Sequence, residues 1–292
     1  MSASYRIFDV QLTEKRQISP SLVRCVFSGP QVSRMKLEAP DQRIKLLFPS
    51  AEGQALQLAN GDDWYRDYMA IPKAQRPVMR TYTLRALRSE RQEMDVEFVL
   101  HGDSGPASAW ATHAQVGDAI QIVAPNADFA GDSGGYEWAP PAQMNQALLI
   151  ADETALPAAM GILERLAQQD NPPRVQAFFE VPLAGDCVSV AQFPFAEVFW
   201  LPRDVGPQQL HGTLLLESVR RRVTIPDSAR AEAQSLAENS LGGEVLWERA
   251  EGACSFYAWV AAESSTVKSL RRYLVGECDL DRSTVNFMAY WC

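Results

Sequence analysis

No stretch of this sequence approaches the ~20 consecutive apolar residues that cross a bilayer. The opening segment from Met1 to Gln17 lacks the apolar run of a secretory signal. A cytoplasmic protein without stable membrane insertion is therefore expected. Histidine is scarce: His101, His113 and His211 are the three present, and none stands at metal-ligand spacing from a cysteine or carboxylate. No protein-bound catalytic metal is expected. The five cysteines (Cys25, Cys187, Cys254, Cys278, Cys292) are odd in number, scattered and without a CxxC pair. Free thiols in a reducing compartment fit them better than a disulfide framework. Positive charge is in deficit, 27 Lys and Arg against 36 Asp and Glu. The net charge of −9 argues against a general nucleic-acid surface, though not against a local basic pocket. GxGxxG is absent, as are internal repeats and low-complexity segments.

What is present suffices for a large core. The 292 residues are 47% hydrophobic and 22% charged, near globular averages, and suggest two domains. Up to residue ~140 the rhythm is short strands closed by Gly or Pro: Ser21–Gly29, Arg43–Pro49, Arg76–Arg85, Met94–Gly102 and Gly117–Pro125. In Met94–Gly102, Val96 and Phe98 are expected to face inward and Asp95 and Glu97 outward. An antiparallel β-barrel follows. Asn126–Gln146, rich in Gly, Pro and small polar residues, reads as the connection. Beyond it strands alternate with helices: Ala147–Ala151, the helix Leu156–Gln169, Arg174–Val181, Glu197–Pro202, a helix over Ser228–Asn239, Phe256–Ala262, a helix over Ser265–Glu277 and Thr284–Trp291. That alternation implies a Rossmann-like parallel α/β domain. The expected organisation is thus 1–140 and 141–292.

Three stretches carry chemistry. In "RTYT", Arg80 and Tyr82 share one face of a strand and Thr83 lies at its end. A flavin needs a cation for its pyrophosphate, a ring to stack on its isoalloxazine and a polar partner at N5. An ordinary barrel strand with solvated arginines reads the same way. In "VLHGDSGPASAWA" a strand ends at His101, and Gly105-Pro106-Ala107-Ser108 opens a helix whose free N–H groups suit a phosphate. A plain β-to-helix turn with proline at its start is the alternative. In "LLIADETALPAAM" the carboxyl end of the first parallel strand, where open α/β sheets bind cofactors, is followed by a helix. This segment could equally be a structural βα unit. Glu180 ends the next strand, where an acid can bond a ribose diol and oppose NADPH, whereas Lys268, Arg271 and Arg272 favour it.

In this order and spacing, "RTYTLR", "DVEFVLHGDSGPASAWA" and "ADETALPA" resemble the siderophore-interacting proteins, FAD-dependent ferric-siderophore reductases. "PDQRIKLLFP", "FYAWVAAESSTVKSLRRYL" and "FMAYW" extend the likeness over nearly the whole chain. The resemblance implies a ferredoxin-reductase-like architecture: a flavin barrel at 1–140 and an NADPH- or NADH-binding domain at 141–292. It implies that NAD(P)H reduces FAD, which then reduces siderophore-bound ferric iron, with no catalytic side chain. Carried over by position, Arg80, Thr81, Tyr82 and Thr83, and His101, Gly105, Pro106, Ala107 and Ser108, look like the flavin segments. Asp152, Glu153, Thr154 and Ala155, with Ala262 and Glu263, look like the nicotinamide side. Lys45 resembles a basic residue that holds the anionic siderophore, and Arg43 lies two residues before it on the same strand face. The chain departs from the family pattern in three places: Ala151 replaces a glycine, Asn126 stands where an arginine is common, and Cys292 follows Trp291 directly. Two other readings share these motifs: an NAD(P)H reductase serving a protein carrier, with a ferredoxin-type carrier also an alternative electron donor, and a siderophore-binding protein without turnover.

Overall fold

The computed structural model describes residues 3–50, 57–59, 61, 63–103, 105–207, 209–231 and 246–292. The chain divides into two compact units, Met1–Tyr136 and Glu137–Cys292.

The first unit contains β1 (Tyr5–Ser19), β2 (Leu22–Ser28), β3 (Arg43–Phe48), α1 (Trp64–Ala70), β4 (Val78–Thr83), β5 (Ala86–Arg88), β6 (Glu93–Val99), α2 (Pro106–His113) and β7 (Ala119–Pro125). The strands form one antiparallel sheet in the order β4-β3-β7-β1-β2-β6-β5. The sheet is a half-barrel: β4 and β5 end it, while Tyr82 of β4 reaches the Phe98 ring of β6 at 4.6 Å. Phe8, Phe27, Phe48 and Phe98 fill the concave side with Leu12, Ile44 and Leu46. Each such buried side chain contributes about 1.5–3 kcal/mol. Asp95 and Glu97 depart from the expected pattern. They do point away from the core, but they are buried beneath arginines rather than solvated. Asp95 pairs with Arg88, and Glu97 pairs with Arg24 and with Arg85 at 3.5 Å. A carboxylate buried without such partners would cost several kcal/mol.

The second unit contains β8 (Gln146–Ala151), α3 (Leu156–Leu166), β9 (Arg174–Val181), β10 (Ala196–Pro202), α4 (Thr213–Arg222), β11 (Trp247–Glu248), β12 (Phe256–Glu263), α5 (Ser264–Arg271), which continues as a π-helical turn over Arg272–Glu277, and β13 (Val285–Trp291). The sheet order is β10-β9-β8-β12-β13-β11. Five strands are parallel and the edge strand β11 is antiparallel to β13, so the sheet is mixed. Leu149, Ala177 and Trp259 face the α3 side, and Ile150, Phe178 and Val260 face the α4 and α5 side.

The helix expected over Ser228–Asn239 lies mostly outside the described residues; its first residues form a 3-10 turn, Asp227–Ala229. A helix the sequence reading did not expect lies earlier, at α4. Leu215, Ser218 and Val219 recur there at helical spacing and are buried. Gly212 supplies the left-handed start (φ 81°), and a Cβ there would meet Thr266 Oγ1 at 2.0 Å. Among the described residues, no helix is long and apolar enough to cross a membrane.

Candidate functional site

Each unit gathers part of the expected chemistry. On β4 the two faces separate cleanly. Tyr82 leans on Phe98 and packs against the core, and burial pushes its phenol well above the ordinary range. Arg80, on the same side, is exposed; its guanidinium donates to the Met79 carbonyl at 2.9 Å and makes no ion pair with a described residue. Thr81 and Thr83 occupy the other side, directly across from Lys45 and Arg43 of β3. Lys45 Nζ donates to Thr81 Oγ1 at 2.6 Å. Burial, and then the nearby Arg43 charge, lower the Lys45 pKa. Thr83 is buried.

The turn between β6 and α2 is built by Ser108. Its hydroxyl accepts from the His101 amide (3.0 Å) and donates to the Gly102 carbonyl (2.7 Å), closing the loop over a 1% exposed side chain. That hydroxyl is committed, so any ligand would meet backbone N–H groups there. α2 begins with Pro106 behind Gly105, and no side chain caps it. Gly102 is left-handed (φ 83°), and a Cβ on Gly105 would come within 3.0 Å of the His101 ring. An uncapped helix start, two glycines, an exposed arginine and an aromatic ring are the donor set that a flat, phosphate-bearing cofactor requires. His101 is exposed.

In the second unit, Asp152 at the end of β8 is fully buried and saturated. Oδ1 accepts from Thr154 N (2.9 Å), Thr154 Oγ1 (2.6 Å) and Ala155 N (3.4 Å). Oδ2 accepts from Glu263 N (2.8 Å) and Trp291 Nε1 (2.9 Å). One carboxylate thus ties β8 to the ends of β12 and β13. It also occupies the first amides before α3, which a dinucleotide phosphate would otherwise use. Glu153 beside it takes Arg203 on both oxygens (2.7 and 2.9 Å) and His211 Nε2 at 3.2 Å. Burial opposes its ionisation, but the His211 and Arg203 hydrogen bonds and charges outweigh burial and hold it at about 2. Burial lowers the His211 pKa, and Glu153 more than reverses this, leaving a net rise. Burial and the Glu153 charge push Asp152 upward.

Asp152, Glu153 and His211 offer ligand atoms within 4.8 Å of one another, a grouping invisible in sequence because 58 residues separate Glu153 from His211. Arg203 and the amides already fill these oxygens, which suits an ion-pair network better than a metal. Arg203 was not singled out from the sequence; its one signal there is position, just past the end of β10.

Glu180 does not stand open to a ribose. It is fully buried and accepts from Gly212 N (2.7 Å), Leu215 N (2.9 Å) and Arg203 (3.1 Å). It caps the start of α4, so its carboxylate is spent on the fold. Glu263 likewise spends its carboxylate capping α5, on Ser265 N and Thr266 N (both 2.9 Å), while Ala262 is buried. Arg271 is engaged by Glu248 at 2.9 Å. Asn126 is buried and bonds the Ala3 carbonyl at 3.0 Å. It holds the N-terminal segment rather than contributing a polar group to solvent.

Two family models cover the chain: the siderophore-interacting FAD-binding domain over residues 11–129 and the siderophore-interacting protein over residues 144–292. Ferric vibriobactin reductase ViuB of Vibrio cholerae is 25% identical over 282 residues, 97% of this chain and 88% of that protein. The NADPH-dependent ferric-chelate reductase of Escherichia coli is 24% identical over 287 residues, 98% of this chain and 93% of that one. The crystal structure of a siderophore utilization protein from T. fusca has the same fold, with a TM-score of 0.73 at 24% identity, covering 100% of this chain and 94% of its own. The ferredoxin-reductase-like architecture expected from the sequence is the one observed. The chain belongs to the siderophore-interacting protein family.

Proposed function

We propose that this protein is a flavin-dependent reductase that draws electrons from NAD(P)H and delivers them to ferric iron held by a siderophore. The observation that carries the reading is β4, which presents Arg80 and Tyr82 on one face while Thr81 meets Lys45 on the other. This strand lies within the part of the chain that matches the FAD-binding family model. Relatives named as a ferric vibriobactin reductase and an NADPH-dependent ferric-chelate reductase support the same activity.

In this reading Arg80 would hold the FAD pyrophosphate, the Tyr82 ring would back the isoalloxazine, and Thr83, whose side chain is buried on the other face of the strand, would contribute through its backbone. The Gly105–Ser108 backbone receives phosphate oxygens beside His101. The flavin, when bound, supplies the conversion of a two-electron hydride into one-electron steps. The second unit would hold nicotinamide at Glu153–Ala155 and the Ala262–Glu263 backbone, with Asp152 positioning that turn through its bonds to Thr154 and Glu263. Lys45 and Arg43 offer positive charge to an anionic chelate. Ferric iron is substrate here: oxygen donors hold it far more tightly than ferrous iron, so reduction loosens it. The five cysteines are unpaired, and the cytoplasm is the proposed location.

The direct test is NAD(P)H oxidation by the FAD-loaded protein with a ferric siderophore, ferrous iron being trapped by a colorimetric chelator. Absence of turnover with either nicotinamide, but turnover with reduced ferredoxin, would replace the donor. Absence with both would reduce the protein to a binder. For the flavin site, Arg80→Ala is expected to weaken FAD binding roughly ten- to a hundred-fold, the loss of one charge-assisted contact of ~1.5–3 kcal/mol. An unchanged fluorescence titration would remove Arg80 from the site. For the chelate site, Lys45→Ala is expected to raise KM for an anionic ferric chelate at low salt. The effect should shrink near physiological ionic strength, where screening acts over ~8 Å. A KM that ignores both the substitution and salt would place the chelate elsewhere.

A further inference from the structure

Groups from the carboxyl ends of all five parallel strands of the second unit join one network around His211, which lies between β10 and α4. Its Nε2 stands 3.2 Å from Glu153 and 3.7 Å from Asp152, the residue that follows β8. Its ring meets Trp291, the last residue of β13, in an edge contact at 5.0 Å. Asp152 draws in the end of β12 through the Glu263 amide. Arg203, just past β10, bridges Glu153 to Glu180 of β9. Glu180 also accepts from the amide of Gly212, the residue after His211. The charged groups facing the imidazole are thus Asp152, Glu153 and Arg203, with Glu180 on the far side of Arg203. Three carboxylates meet one guanidinium, so this end of the sheet is short of positive charge unless His211 carries a proton. Open α/β sheets bind ligands outside the carboxyl ends of their strands.

The imidazole is poised between its two forms. Glu153 is a carboxylate and can only accept, so Nε2 carries a hydrogen. Nδ1 is buried and has no hydrogen-bond partner among the described residues. In the neutral ring that nitrogen is an acceptor; in the cation it becomes a buried donor left unpaired. Burial therefore opposes the cation, and Glu153 more than offsets burial. A further negative charge nearby favours the cation again.

We propose that His211 is a proton-linked positioning residue of the nicotinamide site: the dinucleotide binds to the form in which His211 is protonated, so that binding takes up a proton. The proposal rests on the nicotinamide reading above. The protonated ring holds Glu153, which heads the turn Glu153–Ala155, and offsets the negative charge that a pyrophosphate brings to a cluster already rich in carboxylates. The neutral ring keeps the hydrogen bond and loses the charge.

The test is calorimetric titration of the FAD-loaded protein with NADP+, or with NAD+ if that binds more tightly, in two buffers of different ionisation enthalpy, which counts the protons taken up. The range is pH 7–9, above the ~6 at which a phosphate monoester gains its second proton. Wild type is expected to take up a fraction of a proton, and its Kd to rise about three- to tenfold across the range. Reciprocity then requires the His211 ring signal in NMR to titrate about 0.5–1 pH unit higher with the dinucleotide bound. Only three histidines are present, and the signal missing from His211→Gln is the one in question. In His211→Gln, whose amide can still donate to Glu153, uptake should vanish and Kd should vary less than twofold. Uptake that persists in His211→Gln would give the proton to Asp152 and overturn the proposal. So would a His211 titration that the dinucleotide leaves in place. If the variant fails to fold, the wild-type proton count and ring titration decide alone. A wild type whose Kd ignores pH loses only this proposal; one that binds neither dinucleotide loses the nicotinamide reading with it.

Discussion

Replacing Asp152 by alanine is expected to destabilise the protein by about 3–5 kcal/mol, the largest effect of any single side chain considered. The carboxylate is fully buried and receives the Thr154 and Glu263 amides, the Thr154 hydroxyl and the Trp291 indole. Alanine leaves the Thr154 and Glu263 amides without their acceptor. Each unsatisfied buried donor costs about 1–3 kcal/mol, and more where the lost acceptor was charged. The neighbours aggravate the loss, because Asp152 is what joins the ends of β8, β12 and β13. Asp152→Asn keeps the volume but must turn an NH2 toward one set of donors, so a smaller drop of about 1–2 kcal/mol is expected. Urea unfolding measures the difference, and hydrogen exchange at the Thr154 and Glu263 amides localises it. A loss below about 1 kcal/mol for alanine, with both amides still protected, would show that Asp152 does not organise this end of the sheet. The prediction bears on the proposed function too: in that reading a side chain so fully committed positions the turn rather than gripping the cofactor.

Stability is also expected to depend on pH through the neighbouring pair. Glu153 is held at about 2 against an ordinary 4.5. A depressed carboxyl contributes stability that is present above its unfolded value and is lost as pH falls through its folded one. The window is therefore roughly pH 4.5 down to 2, and at about 1.4 kcal/mol per tenfold change in proton affinity the loss is on the order of 3 kcal/mol. Asp152 works the other way: burial and the Glu153 charge raise its pKa, so proton uptake by the folded state offsets part of this loss. His211 has a raised pKa, so its contribution is complete below its ordinary 6.5 and disappears as pH climbs through the higher folded value. The groups facing His211 are Asp152, Glu153, Arg203 and the edge of Trp291. In Glu153→Gln the acid limb should flatten, and in His211→Asn the limb above neutrality should flatten. Urea midpoints across pH 3–9 decide the matter. Parallel profiles for wild type and Glu153→Gln would mean that the Arg203 and His211 contacts carry no net stability.

The sequence legibly carried the elements whose periodicity is local. Buried runs such as Ala147–Ala151 and Arg174–Val181, and the amphipathic helix from Leu156, were read with small errors at their ends. β1 escaped because only its first half alternates, at Phe8, Val10 and Leu12, while Thr13 to Arg16 look like a charged loop. Pairing with β2 holds that polar half in the sheet. α4 escaped because its start depends on a cap from Glu180, more than thirty residues earlier. The Arg80–Tyr82 spacing was legible, since a strand puts i and i+2 on one face whatever surrounds it.

By itself, then, the sequence determined the two-unit order, the strand and helix types, and which short segments carry an arginine, a ring and a glycine turn together. Those follow from local backbone periodicity and from steric rules that act over a few residues. Only the tertiary structure decided which charged groups are available to a ligand. Asp152, Glu180 and Glu263 look identical in sequence to free carboxylates. Folding committed Asp152 to the Glu263 amide and the Trp291 indole, and Glu180 to Arg203 and the amides at the start of α4, because a buried charge persists only where partners from other strands and helices converge on it. Glu263 caps its own helix. The same convergence set His211 against Glu153. No local rule predicts these pairings, since they depend on where chain segments far apart in sequence come to rest.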